Sequence, residues 1–562
     1  MKSGKIHQLV VFYPAMMKTK LQNKHVVWLL ILPLVILATG LLHIQYTGLF
    51  FLRSVDPEYA YLFNGLILAH FHPDIQYTGH PGIPVQCMVA MVARTAHLFR
   101  PGQPLVNDVL QNPEFYIRAV LYTSTVLQVV TLFLLGYYMH RYSGNMIAAV
   151  FLQLTPFTHI ITLEVAGRLM PELVMGSIVC CWLILLVKMI YEDHELRNYK
   201  RYSLLFAVLF GISLADKLTF LPFFLLPLIV LPSWKFRLRF ILFSLFFFML
   251  FAFPVILNHK VFFRWIFNIF THTGAYGGGG RGIVDWSEFA DHVKVLPGNT
   301  PILLITLLSL VILTVLYLWK QRMQKQVLDI HARISLALIA VIVVQYLMAA
   351  KHFAFHYMTP SLLITVIGLF ISTMLFDRLL HSRANKRITT WIPVIFGLLL
   401  LFNIAPKEAR HLKHIREVTT IRTEAYNRLF PMLNMPPKII CPSYYGCSAT
   451  EYALTFGLHE SGRHGDFLFK EMQKLYPETY LYLPWGRVFY EGNRETEPAM
   501  FLQPYTVYTL YIADYSDEQL AEITGALNTN GKNLYCVTKE IYHSEATGEA
   551  IFLLQTQQVT HE

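Results

Sequence analysis

Charged residues are scarce in this chain: Asp, Glu, Lys and Arg make up only 14% of its 562 residues, whereas 55% are hydrophobic. Soluble globular proteins carry about 25% charged residues. The mean hydropathy is +0.44, and several apolar runs approach the length of a helix that crosses a bilayer. The composition therefore excludes an ordinary soluble domain and predicts a membrane protein.

Several motifs of well-understood chemistry are also missing. The sequence has no Walker phosphate loop, no cysteines at zinc-site spacing and no aromatic–basic motif for nucleic acid. The net charge is +11, but the basic residues cluster between apolar runs, so we interpret them as topology signals and expect no nucleic-acid partner. Of the six cysteines, Cys441 and Cys447 flank a short loop, where they could pair in an oxidising compartment or stay free.

What is present is a series of apolar segments, which predicts a mainly α-helical, polytopic membrane bundle of about eleven transmembrane helices. The segments lie at about 26–50, 117–139, 146–163, 170–191, 203–215, 218–232, 239–257, 300–319, 331–350, 357–376 and 390–405. We expect the lysine-rich residues 1–25 to be a cytoplasmic N-terminus, because basic residues favour the inner side of a membrane. Residues 26–405 then form the transmembrane module.

The outer side receives loops 52–116 and 258–300 and the C-terminal residues 406–562. All the unusual polar motifs fall on this side, whereas random structural polarity would be divided between both faces, so we expect a functional site there. The C-terminal residues predict an extracytoplasmic α/β domain. Its candidate strands are 438–441, 480–483, 505–512 and 550–554, and its candidate helices are 407–425, 449–458 and 517–527.

Two acids, Asp56 and Glu58, follow the first apolar segment directly. Ordinary loop acids would be solvated and inert. Here Pro57 restricts the backbone, aromatic residues follow, and a Gly-His-Pro-Gly turn at 79–82 lies in the same loop. A carboxylate beside a low-dielectric wall has a raised proton affinity, which suits it to general-base work on a hydroxyl or amide.

An acidic pair soon after the first membrane helix, followed by the His80-Pro81 turn in a long outer loop, resembles the GT-C glycosyltransferases. These polytopic enzymes use polyprenyl-phosphate sugars and include protein O-mannosyltransferases and the aminoarabinose transferase of lipid A. Further resemblances follow in the family's order at 164–172, 216–219 and 351–360. The resemblance covers about residues 26–405 and leaves out the C-terminal domain.

The resemblance implies that Asp56 is the general base for the acceptor and that Glu58 is a helper or a metal ligand. Glu164 would bind a cation or the acceptor, although a cap-like role at a helix junction is an equal alternative. No cofactor is certain; a divalent cation, if used, would have Asp56, Glu58 and Glu164 as candidate ligands. His80 would ligate that cation with Asp56 or order its loop.

The donor phosphate needs cationic partners, because its negative charge grows as the sugar departs. The candidates that the resemblance implies are Arg168, Lys217, Lys351 and His352. Lys217 could instead snorkel or pair with the adjacent Asp216. The glycine-rich residues 277–282 are not a Walker loop; we expect them to close over substrate, with Arg281 as a contact.

Together these features predict an inverting glycosyltransferase of a bacterial cytoplasmic membrane, with its active site outside. It would move a sugar from a polyprenyl-phosphate donor to a glycan, lipid or protein acceptor, among membrane lipids. The alternative is a transporter or flippase of lipid-linked sugars, but such proteins often show internal repeats and interrupted helices in matching halves, and none is found here. A membrane anchor for a binding module does not explain the ordered polar motifs.

Overall fold

The computed structural model describes seven stretches of the chain. They are residues 26–79, 81–192, 196–274, 277–325, 328–380, 385–529 and 534–558. The predicted cytoplasmic N-terminus 1–25 and the candidate residue His80 lie outside the described residues.

Six described helices are long and apolar enough to cross a membrane. They are Val27–Thr47, Pro113–Ser143, Glu172–Tyr191, Pro301–Met323, Ile330–Lys351 and Trp391–Leu433. A bent pair, Phe355–Leu363 and Thr365–Leu380, adds a seventh if its two halves, which meet at 41°, form one span. The chain is thus an integral membrane protein with a helical bundle, as its hydropathy predicted.

The count is lower than about eleven because the remaining apolar segments form short or charged helices. The segment 146–163 divides into Met146–Leu152, a 3-10 turn Thr155–Phe157 and Ile161–Glu164. Pro156 and Pro222 contribute to such breaks, since proline lacks a backbone donor. The other short or charged helices are Leu196–Asp216, the 3-10 helix Leu218–Phe224, Leu225–Val230, Trp234–Phe251 and Phe253–Leu257.

The two long loops that were predicted on the outer side are largely helical. The first contains Glu58–Ala69, Ile83–His97 and Leu105–Gln111, and the second contains His259–Thr271 and Trp286–Asn299. Helix Glu58–Ala69 is buried along nearly its whole length, although its 12 residues are fewer than a membrane-spanning helix needs. It is buried because it packs against Ile83–His97 on one side and against the C-terminal domain on another.

The C-terminal domain contains a mixed seven-stranded sheet in the order β4-β3-β2-β1-β5-β7-β6. Its strands are β1 (Lys438–Cys441), β2 (Thr479–Leu483), β3 (Val488–Glu491), β4 (Arg494–Thr496), β5 (Val507–Ile512), β6 (Leu534–Ser544) and β7 (Glu549–Gln558). Strand β1 is parallel to β2 and β5, and the other pairs are antiparallel. Its helices are Thr450–His459, Gly465–Leu475, Pro498–Phe501 and Asp517–Thr529. The predicted α/β domain is confirmed.

One helix, Asn385–Leu433, connects the bundle to this domain without interruption. It runs through the predicted domain boundary at 405 and carries Pro406 within it. In the C-terminal domain Cys441 and Cys447 are both free. Burial raises the pKa of the Cys441 thiol to about 12, so this thiol is protonated near neutral pH.

Candidate active site

Asp56 lies just before the buried helix Glu58–Ala69, and its carboxylate is only partly exposed. The Tyr77 hydroxyl donates to Asp56 Oδ1 at 3.3 Å. Within the described chain no cation forms an ion pair with this carboxylate. Burial and the nearby charge of Glu58 raise the pKa of Asp56, which makes it a stronger base than an ordinary aspartate.

Glu58, two positions later, is fully buried and has different partners. Its Oε1 forms an ion pair with Arg168 Nε, and its Oε2 accepts from the Ser54 hydroxyl at 3.1 Å. Arg168 Nη2 also donates to Ser54 Oγ at 2.9 Å and to the Asp56 carbonyl at 3.3 Å. Arg168 and Glu58 therefore neutralise each other and hold the backbone that carries Asp56.

A second buried ion pair joins Lys217 Nζ to Glu172 Oε1. Lys217 is 2% exposed and lies 5.2 Å from the centre of the Tyr357 ring. His356 Nε2 lies 3.8 Å from the same Glu172 oxygen. The alternative partner considered from the sequence, Asp216, is not used: in the described part of the chain neither of its buried carboxylate oxygens has a hydrogen-bond partner.

Tyr61 connects the surroundings of Asp56 with the Lys217 pair. Its ring stands edge-on to Tyr77 at 5.3 Å, and its hydroxyl lies within electrostatic reach of Asp56 and Glu172. Gly82, with φ of +55°, fits beneath this ring, since a Cβ there would overlap the Tyr61 hydroxyl. Gly82 thus packs against Tyr61 of this cluster.

The C-terminal domain also contributes to the cluster around Asp56, which consists of Asp56, Glu58, Arg168, Tyr77 and Tyr61. Asn64, on the buried helix, donates to the Glu460 carbonyl at 2.9 Å. Burial and the charge of Asp56 raise the pKa of the Glu460 carboxyl to about 7. Glu460 was not among the sequence candidates, because nothing in the local pattern of a 150-residue domain connects it with an acid near the start of the chain.

Arg53 was also missed, although it lies three positions before Asp56. Its guanidinium is partly buried and has no hydrogen bond or ion pair within the stretches that the structure describes. Burial and the charges of Arg168 and Arg422 lower its pKa, while Glu164 and Glu58 oppose this. A half-buried guanidinium beside two other arginines is costly without an anion, so this corner of the cluster suits a phosphate.

Glu164 ends the short helix Ile161–Glu164, and its Oε2 lies 3.6 Å from His411 Nε2. It does not join Asp56 and Glu58 in a group with metal-ligand distances within the described residues. The three acids, which were candidate ligands if a cation is used, are therefore not grouped around one point in this arrangement of the described residues. Glu164 lies at a helix junction, as the alternative cap-like role predicted, and its charge acts on Arg53.

The other predicted phosphate contacts lie on a different element. Lys351 Nζ donates to the Ile269 and Phe270 carbonyls at 2.5 and 3.0 Å, at the end of helix His259–Thr271. Both ring nitrogens of His352 lie 2.8 Å from carbonyl oxygens, those of Gly274 and Ile269. Arg281 is exposed. Within the described residues these three side chains make no contact with the Asp56 cluster.

Comparison with known proteins gives a single kind of match. No protein-family model and no curated protein matches the chain. Among solved structures, it is similar to the crystal structure of ArnT from Cupriavidus metallidurans bound to undecaprenyl phosphate, at 11% identity and a TM-score of 0.48. The match covers 94% of this chain and 98% of that one. A likeness at this level concerns overall architecture and assigns no residue a role.

Proposed function

We propose that this protein is an inverting glycosyltransferase that takes a sugar from a polyprenyl phosphate at the outer face of a bacterial cytoplasmic membrane. One observation carries the proposal. Asp56 is a half-buried carboxylate without an ion-pair partner among the described residues, and the Arg168–Glu58 ion pair places a guanidinium beside it. A base of raised pKa next to cations is what transfer from an anionic leaving group requires.

In the proposed reaction Asp56 accepts the proton of an acceptor hydroxyl as its oxygen attacks the anomeric carbon. The new carbon–oxygen bond forms as the bond from that carbon to the phosphate oxygen breaks, so one displacement inverts the centre. Tyr77 orients the Asp56 carboxylate through its hydroxyl. Glu58 positions the Asp56 backbone through Arg168, so we regard it as a positioning residue.

The departing lipid phosphate would bind near Arg53, whose guanidinium has no partner of its own in the described chain. Arg168 is adjacent, and phosphate could share it with Glu58. Lys217 is a second candidate at the other end of the cluster. Lys351, His352 and Arg281 stay predictions for this role, and their present partners favour holding the outer helix instead.

The acceptor would enter from the side of the C-terminal domain. Glu460 and Tyr452 of this domain both lie within electrostatic reach of Asp56. A glycan, a lipid or a protein hydroxyl could be presented there, and the domain would select among them. The bundle supplies the complementary environment, since a polyprenyl tail can stay between membrane helices while its phosphate reaches the interface.

The test is lipid and glycan mass spectrometry on cells that express the native protein, Asp56→Asn or Asp291→Asn at equal abundance. Asp291 is an exposed acid paired only with Lys294 in the described structure, so Asp291→Asn is the matched control. We expect Asp56→Asn to accumulate one polyprenyl-phosphate sugar while one glycan or lipid loses that sugar. The control should match the native protein.

If cells that express Asp56→Asn have the same glycans and lipids as cells with the native protein, Asp56 is not the general base. The transporter alternative makes a separate prediction for purified protein in liposomes. If the protein moves a lipid-linked sugar across the bilayer and never releases the sugar to an added acceptor, transport would replace transfer as its function.

A further inference from the structure

A cluster of three metal-binding side chains lies between residues 70–79 and the C-terminal domain. His464 Nε2 lies 2.8 Å from Asp74 Oδ2. The His72 ring stacks on His464 with ring centres 4.8 Å apart and planes inclined by 29°. One ligand atom of each residue lies within 4.8 Å of the other two. No pattern in the sequence connected these residues.

Two imidazoles and one carboxylate form a donor set with a defined preference. Zn²⁺ and similar first-row ions favour imidazole nitrogen together with carboxylate oxygen, whereas Mg²⁺ and Ca²⁺ favour oxygen alone. His464 Nε2 and Asp74 Oδ2, which form a hydrogen bond in this structure, could instead bind one cation between them.

The neighbouring Arg463 pairs with the same oxygen of Asp74 and balances its charge. The Arg463 side chain is 72% exposed, so it can leave or turn to the second carboxylate oxygen at little cost. Tetrahedral zinc holds its ligand atoms roughly 3.3 Å apart. His72 must therefore approach, and its exposed position allows this.

We propose that His72, Asp74 and His464 bind one divalent transition-metal ion, with Zn²⁺ as the preferred ion and water completing its coordination. These residues take no part in the proposed sugar transfer, so the metal site stands independently of it. The ion would tie the C-terminal domain to residues 70–79, which follow the buried helix Glu58–Ala69. Its role would be to fix the position of the C-terminal domain relative to residues 70–79.

The test uses the full-length protein in detergent, without a polyhistidine tag and stripped of metal with a chelator. Co²⁺ is added and its visible absorption recorded, and Zn²⁺ is then added as a competitor. We expect one Co²⁺ per chain, displaced by Zn²⁺. His72→Gln should weaken binding at least about tenfold, and His464→Gln should abolish it. His414→Gln, on an exposed histidine outside the cluster, is the control and should bind as the native protein does.

Because His72 is exposed, His72→Gln should fold even if His464→Gln does not. Hydrogen–deuterium exchange supplies a second readout: Zn²⁺ should slow exchange at 70–79 and 460–466 in the native protein but not in His72→Gln. Native protein that binds no Co²⁺, or binds it equally after His72→Gln, would overturn the proposal.

Discussion

Asp56 and Glu58 stand two positions apart, yet their carboxylates meet different surroundings. Glu58 is fully buried and bonded to Arg168, whereas the half-buried Asp56 carboxylate has, among the described residues, a tyrosine hydroxyl at 3.3 Å as its hydrogen-bond partner. Both oxygens of the Glu58 carboxylate are taken up by Arg168 and Ser54, so it is not free to accept a proton from an acceptor hydroxyl in this arrangement. The different roles proposed for Asp56, as the base, and Glu58, as a positioning residue, therefore follow from their different neighbours.

This difference in roles predicts the pH dependence of Glu58→Gln. The charge of Glu58 raises the pKa of Asp56, so its removal should lower that pKa. A general base acts only when deprotonated, so activity falls as the pH drops through its pKa. We expect the acid limb of kcat/KM in Glu58→Gln to move to lower pH than in the native protein. Asp291→Asn should leave the limb in place, and an upward or absent shift in Glu58→Gln would place the base elsewhere.

Variants of the Lys217–Glu172 pair can distinguish a stabilising role of Lys217 from a role in binding the donor phosphate. Removing one partner of a buried ion pair costs about 3–5 kcal/mol, because the other charge stays buried without compensation. We expect Lys217→Met and Glu172→Gln each to lower thermal stability in detergent by an amount of this order. The double variant Lys217→Met with Glu172→Leu should recover most of it.

Transfer activity then separates the two roles of Lys217. If it binds the donor phosphate, the stable double variant should show a raised KM for the polyprenyl-phosphate sugar. Native KM and kcat in that variant would show that the pair serves packing alone.

The sequence predicted part of this chemistry. Asp56, Glu58, Arg168 and Lys217 were chosen because polar residues at the edge of apolar segments are conspicuous. The structure joins the first three through an ion pair and hydrogen bonds, whereas Lys217 pairs separately with Glu172. The partner Glu172 was visible only as one acid of a turn. Arg53 and Glu460 escaped because their significance depends on contacts, and no local pattern encodes a contact across most of the chain.

At the scale of elements, apolar length predicted helices more reliably than it predicted membrane spans. Proline at 156 and 222 shortens helices that hydropathy alone joins together. The buried strands β1 and β2 were predicted within one residue, because they are continuous apolar runs. Strands β3, β4 and β6 were missed: β3 and β4 are only four and three residues long, and β4 and β6 are the edge strands of the sheet, which lack that continuous apolar pattern.

Helix His259–Thr271 supplies a prediction at this scale. Lys351 donates to the last carbonyls of this helix, which have no partners within the helix itself. We expect Lys351→Met to speed hydrogen exchange in residues 268–274 and to change the thermal stability of the whole protein by no more than about 1 kcal/mol. Lys294→Met, on an exposed lysine of the next helix, is the control. A raised donor KM with unchanged exchange would show instead that Lys351 contacts the phosphate.

At the scale of the whole molecule, the C-terminal domain packs on helix Glu58–Ala69, beside the proposed active site. Gly457 lies against Phe63, and an added Cβ would meet the Phe63 ring at 2.6 Å. We expect Gly457→Ala to cost about 1–3 kcal/mol through overpacking and to reduce transfer, because the buried helix shifts. Gly525→Ala, where a Cβ meets nothing within 4 Å, should leave transfer unchanged. Equal transfer rates in Gly457→Ala and Gly525→Ala would show that packing of the C-terminal domain on this helix does not affect transfer.

The hydrogen bond from Asn64 to Glu460 joins residues 396 positions apart. Translation at about 5–20 residues per second places roughly 20–80 seconds between the synthesis of these two residues. Throughout that interval the nascent chain has its acids at the membrane surface without the domain that completes their surroundings. A chain that stalls before residue 450 would therefore lack the acceptor side of the proposed site, and only finished molecules could carry out the proposed transfer.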